Sequence, residues 1–171
     1  GFIGSHLVRE LLDRGDDVLV LDDLSTGEYE NLEDLEDGER VCLVVDSINN
    51  SAIVNDCVKE VDAVFHLASA VGVRLIIEQP VRTIQSIVGG TEVVLDACGR
   101  YRRPFLITST SEVYGKGSKI PFAEEDDRIM GATTMRRWSY ACAKALDEFL
   151  TLAYWYESRL PVVITRLFNT V

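Results

Sequence analysis

The chain has 171 residues, 47% of them hydrophobic and 26% charged, a composition that suits one globular domain with a sizeable core. Its net charge of −11 leaves no basic footprint for nucleic acid or an anionic membrane, so a phosphate ligand must be held by backbone dipoles and a few placed side chains. No apolar run approaches the roughly 20 residues of a membrane span, and Cys42, Cys57, Cys98 and Cys142 lack metal-ligand spacing, so they read as small buried thiols of a cytoplasmic protein with no metal.

Taken in chain order, "SHLVRELLDRG" (5–15) carries Leu7, Val8, Leu11 and Leu12 at helical spacing and stops at Gly15. "DVLVLDD" (17–23) and "RVCLVVD" (40–46) read as short apolar strands, 50–60 as a modest helix, and "DAVFHLA" (62–68) as a third strand. Residues 81–99 place Val81, Ile84, Val88, Leu95 and Cys98 near one helical stripe. "PFLITST" (104–110) is a strand, 139–158 a long helix and "PVVITRLFN" (161–169) a strand; 115–138 has no period and reads as a loop over the site. Apolar strands alternating with helices predict a Rossmann-type, doubly wound parallel sheet covered on both faces, an α/β fold. Ligands bind such sheets beyond the carboxyl ends of the strands, so the polar residues there are the candidates.

The first candidates are glycines. "GFIGSHLV" sets Gly1 and Gly4 around Phe2 and Ile3 at a helix start, where backbone N–H groups can meet a pyrophosphate. About 20 residues on, Asp22 ends a strand, the place of an acid that binds an adenosine ribose 2′-hydroxyl. No arginine lies between Arg14 and Arg40 to meet a 2′-phosphate, which favours NAD over NADP. Asp46 ends the next strand and has two readings, an adenine contact or a helix N-cap. The motif starts inside its own pattern, so the chain reads as an internal piece of a longer protein. The strand expected before Gly1 belongs in the middle of the sheet, and without it strand edges flank a gap.

The second set is catalytic in type. "SYACAK" places Tyr140 one helical turn from Lys144. A phenol of ordinary pKa about 10 is a poor base at neutral pH, and bringing it there takes roughly 4 kcal/mol. A neighbouring ammonium and a positive nicotinamide ring could supply that. The other reading is a surface pair, with Lys144 facing Asp147 or Glu148. "TSTSEVYG" follows a strand, so the Thr110 hydroxyl can share a hydrogen bond with Tyr140 and a reacting hydroxyl oxygen, with the Glu112 carboxylate two residues on.

Together these stretches, with "LDDLSTG", "FHLAS", "GGTEVVLDAC" and "RLFNT" in order, closely resemble the extended short-chain dehydrogenase/reductase superfamily, in its nucleotide-sugar epimerase, dehydratase and decarboxylase branch. The resemblance implies NAD-dependent oxidation at a sugar C4 to a 4-keto intermediate. It gives Gly1, Gly4, Asp22, Asp46, Ser47, Leu67 and Ala68 to the cofactor, and Thr110, Tyr140 and Lys144 to catalysis. Ser111, Glu112 and Asn169 go to the nucleotide-sugar, and His66 to the scaffold. It places a NAD-binding domain over 1–171, most of the substrate domain beyond it, and a homodimer interface on helices including the one bearing Tyr140. Ser111 stands where similar dehydratases carry an aspartate acid, which counts against water loss. "TSEVYG" with "RWSYACAK" is more similar to UDP-glucuronate decarboxylases; the alternative is a UDP-glucose-type 4-epimerase. Retention of Thr110, Tyr140 and Lys144 counts against a non-catalytic NAD-binding sensor. One departure is Ile87, where the family usually has asparagine.

Overall fold

The computed structural model describes residues 1–35, 40–69 and 78–170. Helix α1 (Phe2–Arg14) buries Ser5 and Val8 and ends at Gly15, whose left-handed φ of 98° lets its N–H reach the Leu11 and Leu12 carbonyls. Strand β1 (Val18–Asp22) then runs parallel to β2 (Val41–Val45), in a register from Val18↔Val41 to Asp22↔Val45. Helix α2 (Ser51–Glu60) leads to β3 (Val64–His66), shorter than the apolar run 62–68 because only three residues pair with β4. Helix α3 (Pro80–Tyr101) starts with proline in its first turn, where a missing N–H costs nothing. Strand β4 (Phe105–Thr110), helix α4 (Trp138–Ser158) and strand β5 (Val162–Leu167) complete the described elements.

The strands are parallel, as their unbroken apolar character predicts, but the sheet comes in two pieces. β1 pairs with β2, β4 sits between β3 and β5, and no ladder joins the pieces among the described residues.

The core lies on one face of the larger piece. Val54 and Val58 from α2, Leu95 and Cys98 from α3, and Phe105 and Ile107 from β4 pack together, all 4% exposed or less. Ile87, at 2%, is also buried. The opposite face carries the register partners Phe65, Leu106 and Val163; Phe65 and Val163 are 41% and 54% exposed. Among the described residues the larger piece is therefore covered on one face, where α2, α3 and α4 pack, while α1 packs against β1 of the smaller piece. The cysteines also differ from expectation. Cys98 is buried, but Cys42 and Cys142 are exposed, since each falls on an outward position of its element. No described helix is long and apolar enough to cross a membrane.

Residues 115–137 hold no long element. A bridge between Gly115 and Ile129, with Lys116 N–H donating to the Ile129 carbonyl at 2.7 Å, folds this loop on itself before α4.

Candidate active site

Two clusters form at the carboxyl ends of the strands. At the first, Gly1 caps α1, and a Cβ there would meet nothing within 4 Å. The Gly1 nitrogen lies 3.8 Å from Asp22 Oδ2, and Leu24 N–H donates to Asp22 Oδ1 at 2.8 Å. Leu24 takes a positive φ of 54° and folds "LSTG" back over the glycines. A Cβ at Gly27 would come within 3.1 Å of the Gly1 nitrogen, a tight contact, and would touch Asp22 at 3.4 Å, so this turn packs closely on both. Gly4 faces Leu67 Cδ1, which brings the end of β3 to the start of α1. Open space over helix N–H groups, a carboxylate at the strand end and an apolar wall at Leu67 form a cradle that fits a dinucleotide.

Phe2, Ile3 and Ala68 are exposed around this cradle. Asp46 accepts from Ser47 N–H at 2.6 Å and from Asn50 Nδ2 at 3.2 Å. The capping alternative for Asp46 is not realised: Asn50 is the residue before α2.

At the second cluster Thr110 ends β4 and caps a 3-10 turn over Ser111–Tyr114, accepting from Glu112 N–H at 3.2 Å. The hydroxyls of Ser69 and Thr110 favour the ionised form of the Tyr140 phenol. Burial and the Glu112 carboxylate outweigh them, and Tyr140 sits above its ordinary pKa. The ammonium expected to lower it is committed elsewhere. Lys144 Nζ donates to Asp147 Oδ2 at 3.0 Å, and the two side chains are 3% and 1% exposed. The pairing with Asp147 considered for a surface helix thus exists, but inside the protein.

A third group braces this floor. Glu148 accepts from Ser109 Oγ at 2.6 Å and Arg166 Nε at 3.0 Å through Oε1, and from Arg128 at 2.6 Å and Arg166 Nη2 at 2.9 Å through Oε2. Burial alone would raise Glu148; Arg166, Ser109 and Arg128 hold it below the usual carboxylate value. Arg128 ties the 115–137 loop to α4, and Arg166 lies over the Tyr114 ring at 4.7 Å. Asn169 is exposed just past β5, beside Phe168, whose ring is 6.4 Å from Tyr114. His66 is 5% exposed, with its pKa pushed down to about 3 by burial and then by Lys144, and its Nε2 lies 3.2 Å from Thr91 Oγ1. It is neutral and enclosed, as a scaffold histidine should be.

Sequence reasoning missed Ser69, Gly27, the burial of the Lys144–Asp147 pair and the Glu148 brace. Ser69 was legible in principle, being the polar residue that follows the strand run "FHLA".

The family model described as GDP-mannose 4,6-dehydratase matches residues 1–171. A UDP-N-acetyl-alpha-D-glucosaminuronate decarboxylase of Bacillus cytotoxicus is 41% identical over 169 residues, covering 99% of this chain and 51% of that protein. UDP-glucuronic acid decarboxylase 1 of Arabidopsis thaliana is 36% identical over 172 residues, covering 99% of this chain and 38% of that protein. Among solved structures, UDP-glucose 4-epimerase from Brucella ovis in complex with NAD superposes with a TM-score of 0.86 at 28% identity, covering 99% of this chain and 49% of that one. The chain spans about half the length, or less, of these relatives.

Proposed function

Because the chain belongs to the GDP-mannose 4,6-dehydratase family of extended short-chain dehydrogenases/reductases, we propose that it is the NAD-binding part of an enzyme that decarboxylates a UDP-linked uronic acid through a 4-keto intermediate. The substrate is UDP-glucuronate or its 2-acetamido counterpart, the sugar acids named for the two decarboxylases above. The observation that carries this reading is the position of the Tyr140 phenol, beside Thr110 and within the field of Glu112, at the carboxyl end of β4.

Gly1, Phe2, Ile3 and Gly4 hold the NAD pyrophosphate on the N–H groups that open α1. Asp22 takes the adenosine ribose hydroxyls, Asp46 and Ser47 the adenine, and Leu67 and Ala68 line the cofactor's path. When bound, NAD supplies the hydride acceptor for the sugar C4. Tyr140, as phenolate, takes the C4 hydroxyl proton while Thr110 shares that oxygen's hydrogen bond. Lys144, one turn along α4 and paired with Asp147, completes the catalytic group. Glu112, exposed on the 3-10 turn, and Ser111 face the sugar that carries the carboxylate, and Asn169 holds the nucleotide-sugar. Once the C4 carbonyl forms, the carboxylate on C5 is β to it, so CO₂ can leave with its electron pair delocalised onto the carbonyl oxygen.

A second reading, 4-epimerase, is favoured by the likeness to the Brucella epimerase. Exposed apolar side chains on α3 and α4, among them Val81, Ile84, Leu146 and Phe149, support a homodimer through these helices.

The base assignment has a direct test. In the complete protein, Tyr140→Phe removes the proton acceptor and leaves the glycine cradle intact. NAD reduction on adding UDP-glucuronate should fall at least about 100-fold while NAD binding, followed by calorimetry, stays the same. Turnover at the wild-type rate would remove Tyr140 from the mechanism.

A further inference from the structure

Tyr140, Lys144 and Asp147 fall at i, i+4 and i+7 of α4, one stripe of that helix. We propose that Asp147 is the positioning residue for Lys144, holding its ammonium in place beside Tyr140 by a buried ion pair that is backed by Thr91 and His66. The proposal deepens the reading of Tyr140 as base and rests on it.

A lysine only 3% exposed needs a counter-charge, because an unpaired buried ammonium is strongly destabilising. Asp147 Oδ2 at 3.0 Å supplies it from a carboxylate that is 1% exposed. The carboxylate is itself backed. From α3 the Thr91 hydroxyl, on a residue 1% exposed, approaches Asp147 closely enough to stabilise its charge. Thr91 Oγ1 also meets His66 Nε2 at 3.2 Å at the end of β3. Ile87, one turn before Thr91, is buried and apolar and gives this stripe no polar atom. Polar groups from β3, α3 and α4 thus gather around the ion pair, and Asp147 Oδ1 is left without a hydrogen-bond partner of its own.

Its electrical effect follows from the charges. Lys144 and Asp147 sum to zero, so Tyr140 does not feel an isolated cation. Asp147 and Glu112 both raise the phenol's pKa. His66 is neutral and does not titrate near neutral pH. Glu148, the next carboxylate on α4, is taken up by Arg128 and Arg166. Changing Asp147 to a neutral residue of the same shape therefore removes a negative charge from the surroundings of Tyr140 and leaves the Lys144 charge unbalanced. On balance the phenol then titrates lower, while the ammonium loses the contact that fixes it.

The test is Asp147→Asn in the complete protein with NAD bound. The Tyr140 titration is followed by carbon NMR of ring-labelled tyrosine, assigned by its loss in Tyr140→Phe. The proposal predicts that the titration moves to lower pH by about half a unit or more. The acidic limb of kcat/KM should follow it, and plateau kcat should fall at least about ten-fold. A titration and limb that stay in place, or move up, would overturn the proposal; a purely structural Asp147 gives that result even if the variant melts earlier. If Asp147→Asn does not fold, Thr91→Val loosens the same carboxylate and should give a smaller change in the same direction, and no movement there overturns the proposal equally. The NMR readout needs no turnover. A protein that acts on no uronic acid yet shows the shift would sink the functional reading and leave the role of Asp147 standing.

Discussion

Adjacent residues on one helix titrate in opposite directions here, and their neighbours are the cause. Asp147 is raised above its ordinary value of 3.8, first by burial, against the pull of Lys144 and Thr91. Its contribution to stability is complete below that value and is lost as pH rises through the folded one. Glu148 is held below its ordinary 4.5 by Arg166, Ser109 and Arg128. Its contribution is complete above 4.5 and is lost as pH falls through the lower folded value. Glu148→Gln strands two partly exposed guanidiniums and should lower stability by about 3 kcal/mol at neutral pH. Urea melts at pH 7 and pH 4 check this: the gap between wild type and variant should narrow at the lower pH, and a constant gap contradicts the assignment. At this scale the sequence was informative about chemical type but not about pairing. Thr110, Tyr140 and Glu112 were legible because strand ends and helical spacing are local. That Lys144 would be buried against Asp147 depends on how α3 packs over α4, and no local pattern carries that.

The elements were legible wherever periodicity or a glycine stop marked them, as in α1 ending at Gly15. Others had no such signal. Helices α3 and α4 end on arginines, Arg102 and Arg159, with φ of 57° and 58°, where glycine would be the usual sign. The loop over the site is held by features of tertiary origin, the Arg128–Glu148 pair and the Gly115–Ile129 bridge. Gly115 is the sensitive point. Its φ is +65°, and a Cβ there would run into the Ile129 carbonyl, which is backbone and cannot swing aside. Gly115→Ala should destabilise the protein by about 1–3 kcal/mol. Hydrogen exchange should speed up at the Lys116 amide, which donates to Ile129; unchanged protection there would mean the bridge does not hold the loop.

At the scale of the molecule, the five described strands, parallel and in two pieces that no described ladder joins, carry both clusters at their carboxyl ends. The cofactor cradle belongs to α1 and the smaller piece, and the Tyr140 cluster to the larger; Gly4 against Leu67 is where they meet. The doubly wound architecture followed from alternating apolar strands and helices. The open face at Phe65 and Val163 did not, because apolar strand composition does not say which element packs on which face. The most direct measurement supplies the full-length protein and NAD with UDP-glucuronate and, separately, UDP-N-acetylglucosaminuronate and UDP-glucose, and reads the products by mass spectrometry and proton NMR. The account predicts loss of CO₂ from a uronic acid to give a pentose or 4-ketopentose product. Inversion at C4 with no change in mass would contradict it, making the protein an epimerase and removing Glu112 from the chemistry.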